Sequence, residues 1–189
     1  MEGKYYPWGG EFATCKKNGS VAVVLLNIDY KPPAEVAIYG PLKTENIGIE
    51  KIVANVISNP HIRYLIVCGD EIRGHRSGSS LIALSKNGID QNHKIIDAPG
   101  AIPYIENINN EAIKRFQKQI KTINLIGEKN KKNIDKTIES CIQKTPPSFG
   151  EPYIAIQITP DIAVSLTDKR ALNSKIMINY MGKIKKRGE

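Results

Sequence analysis

The chain has 189 residues, with 27 Lys and Arg against 19 Asp and Glu, a formal charge of +8 and a pI of about 9.3. This length holds one domain, or one domain with a small appendage, and buries a core without disulfides. Three cysteines, Cys15, Cys68 and Cys141, share no metal-ligand spacing, the start MEGKYYPWGG carries no leader-like apolar run, and no apolar run nears the ~20 residues of a membrane helix, so the reading is of a reduced, cytoplasmic protein.

The positive charge is dispersed except at Lys129, Lys131 and Lys132 and at Lys183, Lys185, Lys186 and Arg187. Aromatic residues are not interleaved with it, so base stacking and nucleic-acid binding are not expected. Residues 1–20 are rich in Gly, Tyr and Pro and read as an irregular lead-in. Val21 to Leu26 is a continuous, mostly β-branched run, the mark of a strand buried on both faces of a parallel sheet. Lys31-Pro32-Pro33 breaks regular structure. Thr44 is placed to cap a helix whose face is Ile49, Ile52, Val53, Val56 and Ile57, and Asn59-Pro60 ends it.

Tyr64 to Cys68 is a second buried strand, and Gly69 breaks it. Leu81, Ala83 and Leu84 mark a short helix closed by Asn87-Gly88. Lys94 to Ala98 reads as a short strand, followed by the loop Pro99-Gly100-Ala101-Ile102-Pro103. Asn109 or Asn110 caps a helix with the face Ile113, Phe116 and Ile120. Ile123, Leu125 and Ile126 form another strand, and Ile134, Ile138, Cys141 and Ile142 a last helical face. Alternating strands and helices predict a mainly parallel α/β sheet with helices on both faces and its strand-end loops on one edge. After Lys144 the stretch Thr145-Pro146-Pro147-Ser148-Phe149-Gly150 resembles a linker. The domain division is then 1–144 and a short β-rich extension over 145–189. In the extension, alternation at Ile154, Ile156 and Ile158, at Ile162, Val164 and Leu166, and at Ile176, Ile178 and Tyr180 predicts an antiparallel meander over 153–181, with a turn at Asp168-Lys169-Arg170.

The loop leaving the Tyr64–Cys68 strand holds the densest chemistry: Asp70, Glu71, Arg73, His75 and Arg76 fall within seven residues. In open α/β sheets, ligands bind outside the carboxyl ends of the strands. His75-Arg76-Ser77-Gly78 matches H-x-x-G. By spacing alone, His75 is either an axial ligand of a large planar cofactor or a surface histidine making one hydrogen bond. A ligand histidine needs a partner for its second ring nitrogen, and Asp70 and Glu71 are the nearest candidates. His61, His75 and His93 show no zinc spacing, and the phosphate-loop, dinucleotide and G-x-S-x-G patterns are absent.

Four blocks carry a resemblance: Thr44 to Lys51 continued through Ser58-Asn59-Pro60, CGDEIRGHRSG over 68–78, GAIPYIEN over 100–107, and EAIKRFQKQI over 111–120. Together, within about 5–142, they are similar to the corrinoid-binding A subunit of tetrahydromethanopterin S-methyltransferase. The resemblance implies a Rossmann-like fold carrying a cobamide, a cobalamin-type cobalt corrinoid. Methyl is taken from methyl-tetrahydromethanopterin and passed towards coenzyme M, with partner methyltransferase subunits on either side of the transfer. It puts His75 in the position of the cobalt-ligating, catalytic histidine. The cofactor is expected to meet Gly69, Asp70, Glu71, Gly74, His75, Arg76, Ser77 and Gly78 on one loop. On the other it is expected to meet Pro99, Gly100, Ala101, Ile102 and Pro103, the glycines permitting close backbone approach. Arg73 stands where the D-x-H-x-x-G pattern of the better-known B12-binding fold has its acidic residue, so the partner of His75 must come from elsewhere. Membrane-bound family members carry a C-terminal anchor, whereas this sequence ends GKIKKRGE, and the expectation is a methyl carrier without a membrane span. The alternative class is a non-catalytic Rossmann-like nucleotide-binding or regulatory module.

Overall fold

The computed structural model describes residues 5–72 and 74–156, and the backbone of 176–178 and 184–186. The first of two compact units, Met1–Ile156, is a five-stranded sheet flanked by helices. Its strands are β1 (Ala13–Thr14), β2 (Val21–Leu25), β3 (Ile38–Pro41), β4 (Tyr64–Gly69) and β5 (Lys121–Ile126). The spatial order is β1-β3-β2-β4-β5, with β2, β3, β4 and β5 parallel and β1 antiparallel at the edge. The expected mainly parallel, Rossmann-like α/β fold is therefore present.

Side-chain alternation in the two central strands explains the layers. Ala22, Val24, Leu65 and Val67 face α1 (Ile47–Ser58), α2 (Ser77–Asn87) and α3 (Asn110–Gln119). Val21, Val23, Ile66 and Cys68 face Ile134, Ile138 and Cys141 of α4 (Lys131–Gln143), together with Tyr30 and Val36. Both faces are covered, which is why these strands read as unbroken apolar runs. The expected cap forms at Asn109, whose side chain accepts the Ala112 N–H at 2.9 Å; at α1 the N-cap is Asn46, and Thr44, two residues before it, accepts the Gly48 N–H at 2.8 Å through Oγ1.

The simple alternation of strand and helix needs three corrections. β3 and β1 are not legible as strands in the sequence, since β3 is only four residues long and contains Gly40-Pro41. Lys94–Ala98 is not a sheet strand. It makes only isolated bridges within its own excursion, Ile89 to Ile95 and Lys94 to Tyr104, and His93 and Asp97 beside and within it have positive φ. The excursion therefore folds on itself, α2 and α3 follow one another, and β5 pairs directly with β4.

The third correction concerns residues 153–156, which form no strand. Tyr153 N–H donates to the Ile57 carbonyl at the end of α1, and Tyr153 and Ala155 pack on the core instead. The second unit, Gln157–Glu189, contains the antiparallel pair β6 (Ile176–Ile178) and β7 (Ile184–Lys186). The strand β7 falls in what reads as a charged tail. The expected alternation over 158–166 and the turn at 168–170 lie outside the described residues.

Candidate functional site at the carboxyl edge of the sheet

β4 ends at Gly69, whose φ of +92° turns the chain outward where a β-carbon would strike Ile28. The loop that follows is tethered at both ends. Asp70 exchanges a backbone bridge with Asn27, and its carboxylate is ion-paired with Lys129. The Gly69 carbonyl accepts the Gly127 N–H, so the ends of β4 and β5 are fastened together beneath the loop. Gly74 has a φ of +87°, and the His75 N–H closes the turn on the Ile72 carbonyl at 2.8 Å. His75 and Arg76 are exposed, while Ser77 and Gly78 are buried as α2 begins. Arg73 lies outside the described residues.

Neither expected carboxylate is bonded to the His75 ring. Asp70 is committed to Lys129, and Glu71 Oε1 accepts the Ser79 N–H at 2.6 Å in the first turn of α2. Glu71 Oε2 is buried with no hydrogen-bond partner among the described residues, an acceptor left for a donor they do not supply. The carboxylate whose pKa His75 helps to lower is Glu45, from the segment leading into α1.

Glu45 is 6% exposed and joins the two loops. Oε1 accepts the Arg76 N–H at 2.7 Å, Oε2 accepts the Ile102 N–H at 3.1 Å, and the Ala101 N–H also bonds this carboxylate. Burial by itself would raise the carboxyl pKa. The hydrogen bonds from Ile102, Arg76 and Ala101, with His75 nearby, outweigh it and hold Glu45 below the ordinary carboxylate value. A second buried acid, Glu50 in the first turn of α1, is 1% exposed and accepts the Glu106 and Asn107 N–H groups at 2.5 and 2.7 Å and the Asn107 side-chain amide at 2.6 Å.

The 99–103 loop thus reaches the His75 loop, although not as the end of a sheet strand. Glu45 holds it there, while Glu50 of α1 holds residues 106–107 further along. Ser80 Oγ donates to the Arg76 carbonyl at 2.8 Å, and Gly100 lies against both Ser80 Oγ and Glu45. Ile102 is 60% exposed and Ile72 is 54% exposed, so each loop presents an apolar side chain to solvent beside its polar backbone. Pro99 and Ala101 are exposed and Pro103 is buried.

Sequence reasoning misses Glu45 and Glu50 as functional residues. Glu50 carries a readable signal: it lies three and seven positions before Val53 and Ile57, in phase with the buried face of α1. Glu45 carries none, because it precedes the helix and its partners are 31 and 57 positions away.

The arrangement offers one exposed imidazole, two pinned loops and two exposed isoleucines on an open edge. Its donor set suits a ligand that supplies its own reactive centre. A single His does not build a metal site alone, and no group of three or more His, Cys, Asp or Glu side chains gathers as a metal site among the described residues. None of the described helices is long and apolar enough to cross a membrane.

The family model for the A subunit of tetrahydromethanopterin S-methyltransferase matches residues 3–164. Form 1 of that A subunit in Methanothermobacter thermautotrophicus is 50% identical over 131 residues, 69% of this chain and 55% of the relative. The A subunit from Methanosphaera stadtmanae is 43% identical over 158 residues, 80% of this chain and 64% of the relative. Form 2 of the A subunit in Methanobrevibacter ruminantium is 44% identical over 153 residues, 79% of each chain. The chain therefore spans little more than half the length of the first of these relatives and a larger share of the last.

Proposed function

The chain belongs to the family of the A subunit of tetrahydromethanopterin S-methyltransferase, and from that premise we propose that it is a corrinoid-binding methyl carrier. It works with partner methyltransferase subunits, taking methyl from methyl-tetrahydromethanopterin and passing it towards coenzyme M. The single observation that carries this reading is His75: an exposed imidazole on the loop leaving the interior strand β4, with the 99–103 loop pinned beside it by Glu45.

The residues fit the cofactor on their chemistry. His75 would supply a ring-nitrogen donor for cobalt. Ile72 and Ile102 supply apolar surface for a flat macrocycle, and a β-carbon at Gly74 would meet nothing within 4 Å, so this turn stands open. Glu71 Oε2 is an acceptor of the kind that the peripheral amides of a corrinoid satisfy. Gly69, Asp70, Arg76, Ser77 and Gly78 frame the first loop, and Pro99 to Pro103 the second.

His75 and the two loops would hold a cobamide, which would supply cobalt as the nucleophile for methyl transfer. The protein's part is to hold the His75 loop in place and to present the open edge to partner subunits. Lys129 fixes Asp70, Glu71 fixes the first turn of α2, and Glu45 fixes the peptide unit between His75 and Arg76.

The test is electron paramagnetic resonance of the protein loaded with cob(II)alamin, with nitrogen-15 in histidine. A change in superhyperfine splitting on labelling, lost in His75→Ala, is expected. The same spectrum from His75→Ala would overturn the reading.

A further inference from the structure

We propose that the outer edge of β5 is a docking surface for an acidic β-strand of another protein, which would join the five-stranded sheet as a further strand. This docking needs no cofactor. β5 is last in the order β1-β3-β2-β4-β5, so its far side has no neighbouring strand among the described residues. The Lys121 N–H donates to the Arg63 carbonyl and the Gly127 N–H to the Gly69 carbonyl, so the odd-numbered residues here bond to β4. Main-chain groups alternate along a strand, and Thr122, Asn124 and Ile126 therefore turn theirs outward. Asn124 Oδ1 accepts the Ile126 N–H, while the N–H and carbonyl groups of Thr122 and Asn124 make no hydrogen bond among the described residues. Every residue of β5 is exposed or half-buried, whereas all of β4 after Tyr64 is buried. An edge in this state is a template for another strand.

Charge selects the occupant. Two open grooves, of about 320 and 420 Å³, flank the start of β5 and share Tyr64 and Lys121. Lys136 and Lys144 line the first and Arg63 and Lys118 the second, and no Asp or Glu lines either. Arg63 is committed to the Gln119 and Pro147 carbonyls. Lys118, Lys121, Lys136 and Lys144 are exposed and make no ion pair among the described residues. Lysines at a sheet edge guard against pairing with a like-charged strand. Here they repel a second copy of a chain with a formal charge of +8, and also residues 157–189, which carry seven Lys and Arg against three Asp and Glu. They attract carboxylates spaced along an incoming strand, while Ile123 and Ile120 in the groove walls offer contact to apolar side chains between those carboxylates. Tyr64 is the only aromatic side chain in either lining, which gives nucleic-acid bases little to stack on.

The probe is a capped peptide of alternating glutamate and valine, about eight residues long, with a lysine–valine peptide as its counterpart. Hydrogen exchange read by NMR on the whole chain should show the Thr122 and Asn124 amides protected by the glutamate peptide, less so as salt rises, and unprotected by the lysine peptide. Lys121→Glu combined with Lys136→Glu should weaken the glutamate peptide by about 10-fold or more and admit the lysine peptide. Asn124→Pro removes an outward N–H while sparing the bonds to β4, so it should abolish protection at Thr122 with every lysine still in place. Should Asn124→Pro fail to fold, the charge-reversed variant decides. Equal protection by both peptides, or none by either, would overturn the proposal. So would phosphatidylserine vesicles or single-stranded DNA binding through the same lysines while the glutamate peptide leaves Thr122 and Asn124 exchanging freely. Protection of these amides before any peptide is added would show the edge already filled, by a second copy if light scattering gives a dimer and by the chain's own extension if it gives a monomer, and either result would overturn it too.

Discussion

Gly100 packs directly on the carboxylate of Glu45, leaving no room for a β-carbon between the 99–103 loop and the residue that anchors it. The contact is a consequence of placing a buried acid between two loops: the acceptor oxygens must come close enough to the backbone N–H groups that any side chain at 100 would stand in the way. Gly100→Ala should therefore lower stability. Overpacking commonly costs about 1–3 kcal/mol, and in a chain of this size each kcal/mol moves the melting midpoint by about 2–4 °C. A calorimetric midpoint equal to the wild type would show that the loop yields freely.

Glu45 also predicts an acid dependence. Its folded pKa lies below the ordinary value of 4.5, because the hydrogen bonds and His75 outweigh burial. As pH falls below that ordinary value, the unfolded chain takes up the proton first. The stabilisation from Glu45 is present above about pH 4.5 and is lost as pH drops through the lower folded value. The difference in urea midpoint between wild type and Glu45→Gln should be greatest at neutral pH and shrink as pH falls below 4.5. A difference independent of pH would mean that the ionised form is not what the two loops bind.

Gln119 is a structural counterpart at the other end of α1. It is 1% exposed, and its Nε2 donates to the carbonyls of Asn59, Ile62 and Val56 at 2.9, 3.2 and 3.3 Å, while Oε1 accepts from Arg115 Nε at 2.7 Å. One amide thus satisfies carbonyls left over where α1 ends and β4 approaches. Gln119→Leu keeps the volume and removes the donors. Leaving buried acceptors unpaired costs about 1–3 kcal/mol, to be measured by chemical denaturation. A loss under about 0.5 kcal/mol would indicate that water replaces the amide.

The thiols should separate by reactivity. Burial pushes Cys68 from 9.0 up to about 11. Cys141 is raised by burial, partly offset by Lys121 and Lys144. Cys15 is exposed. At mildly alkaline pH a thiol reagent should label Cys15 quickly, and Cys68 and Cys141 only as fast as the protein opens. Rapid labelling of Cys68 in native protein, read by peptide mass spectrometry, would contradict the burial of β4.

The elements legible in the sequence are those with a short-range period. The buried runs at 21–25 and 64–68 and the helical faces of α1, α3 and α4 repeat every residue or every three to four, so each segment reports its own environment. His75 is legible as a candidate for the same reason: a polar loop follows an apolar strand, and a parallel sheet puts that loop on the ligand edge. Two kinds of feature are decided only in three dimensions. Lys94–Ala98 has strand-like composition, but hydrogen bonding within its own excursion wins over joining the sheet, and no local pattern records that competition. The union of the two loops depends on Glu45 bonding backbone N–H groups 31 and 57 positions away. A carboxylate accepting from main-chain amides leaves no complementary side chain to read at the other end, because every residue except proline has an N–H. Which amides it captures is settled by where packing of α1 on the sheet brings its first turn.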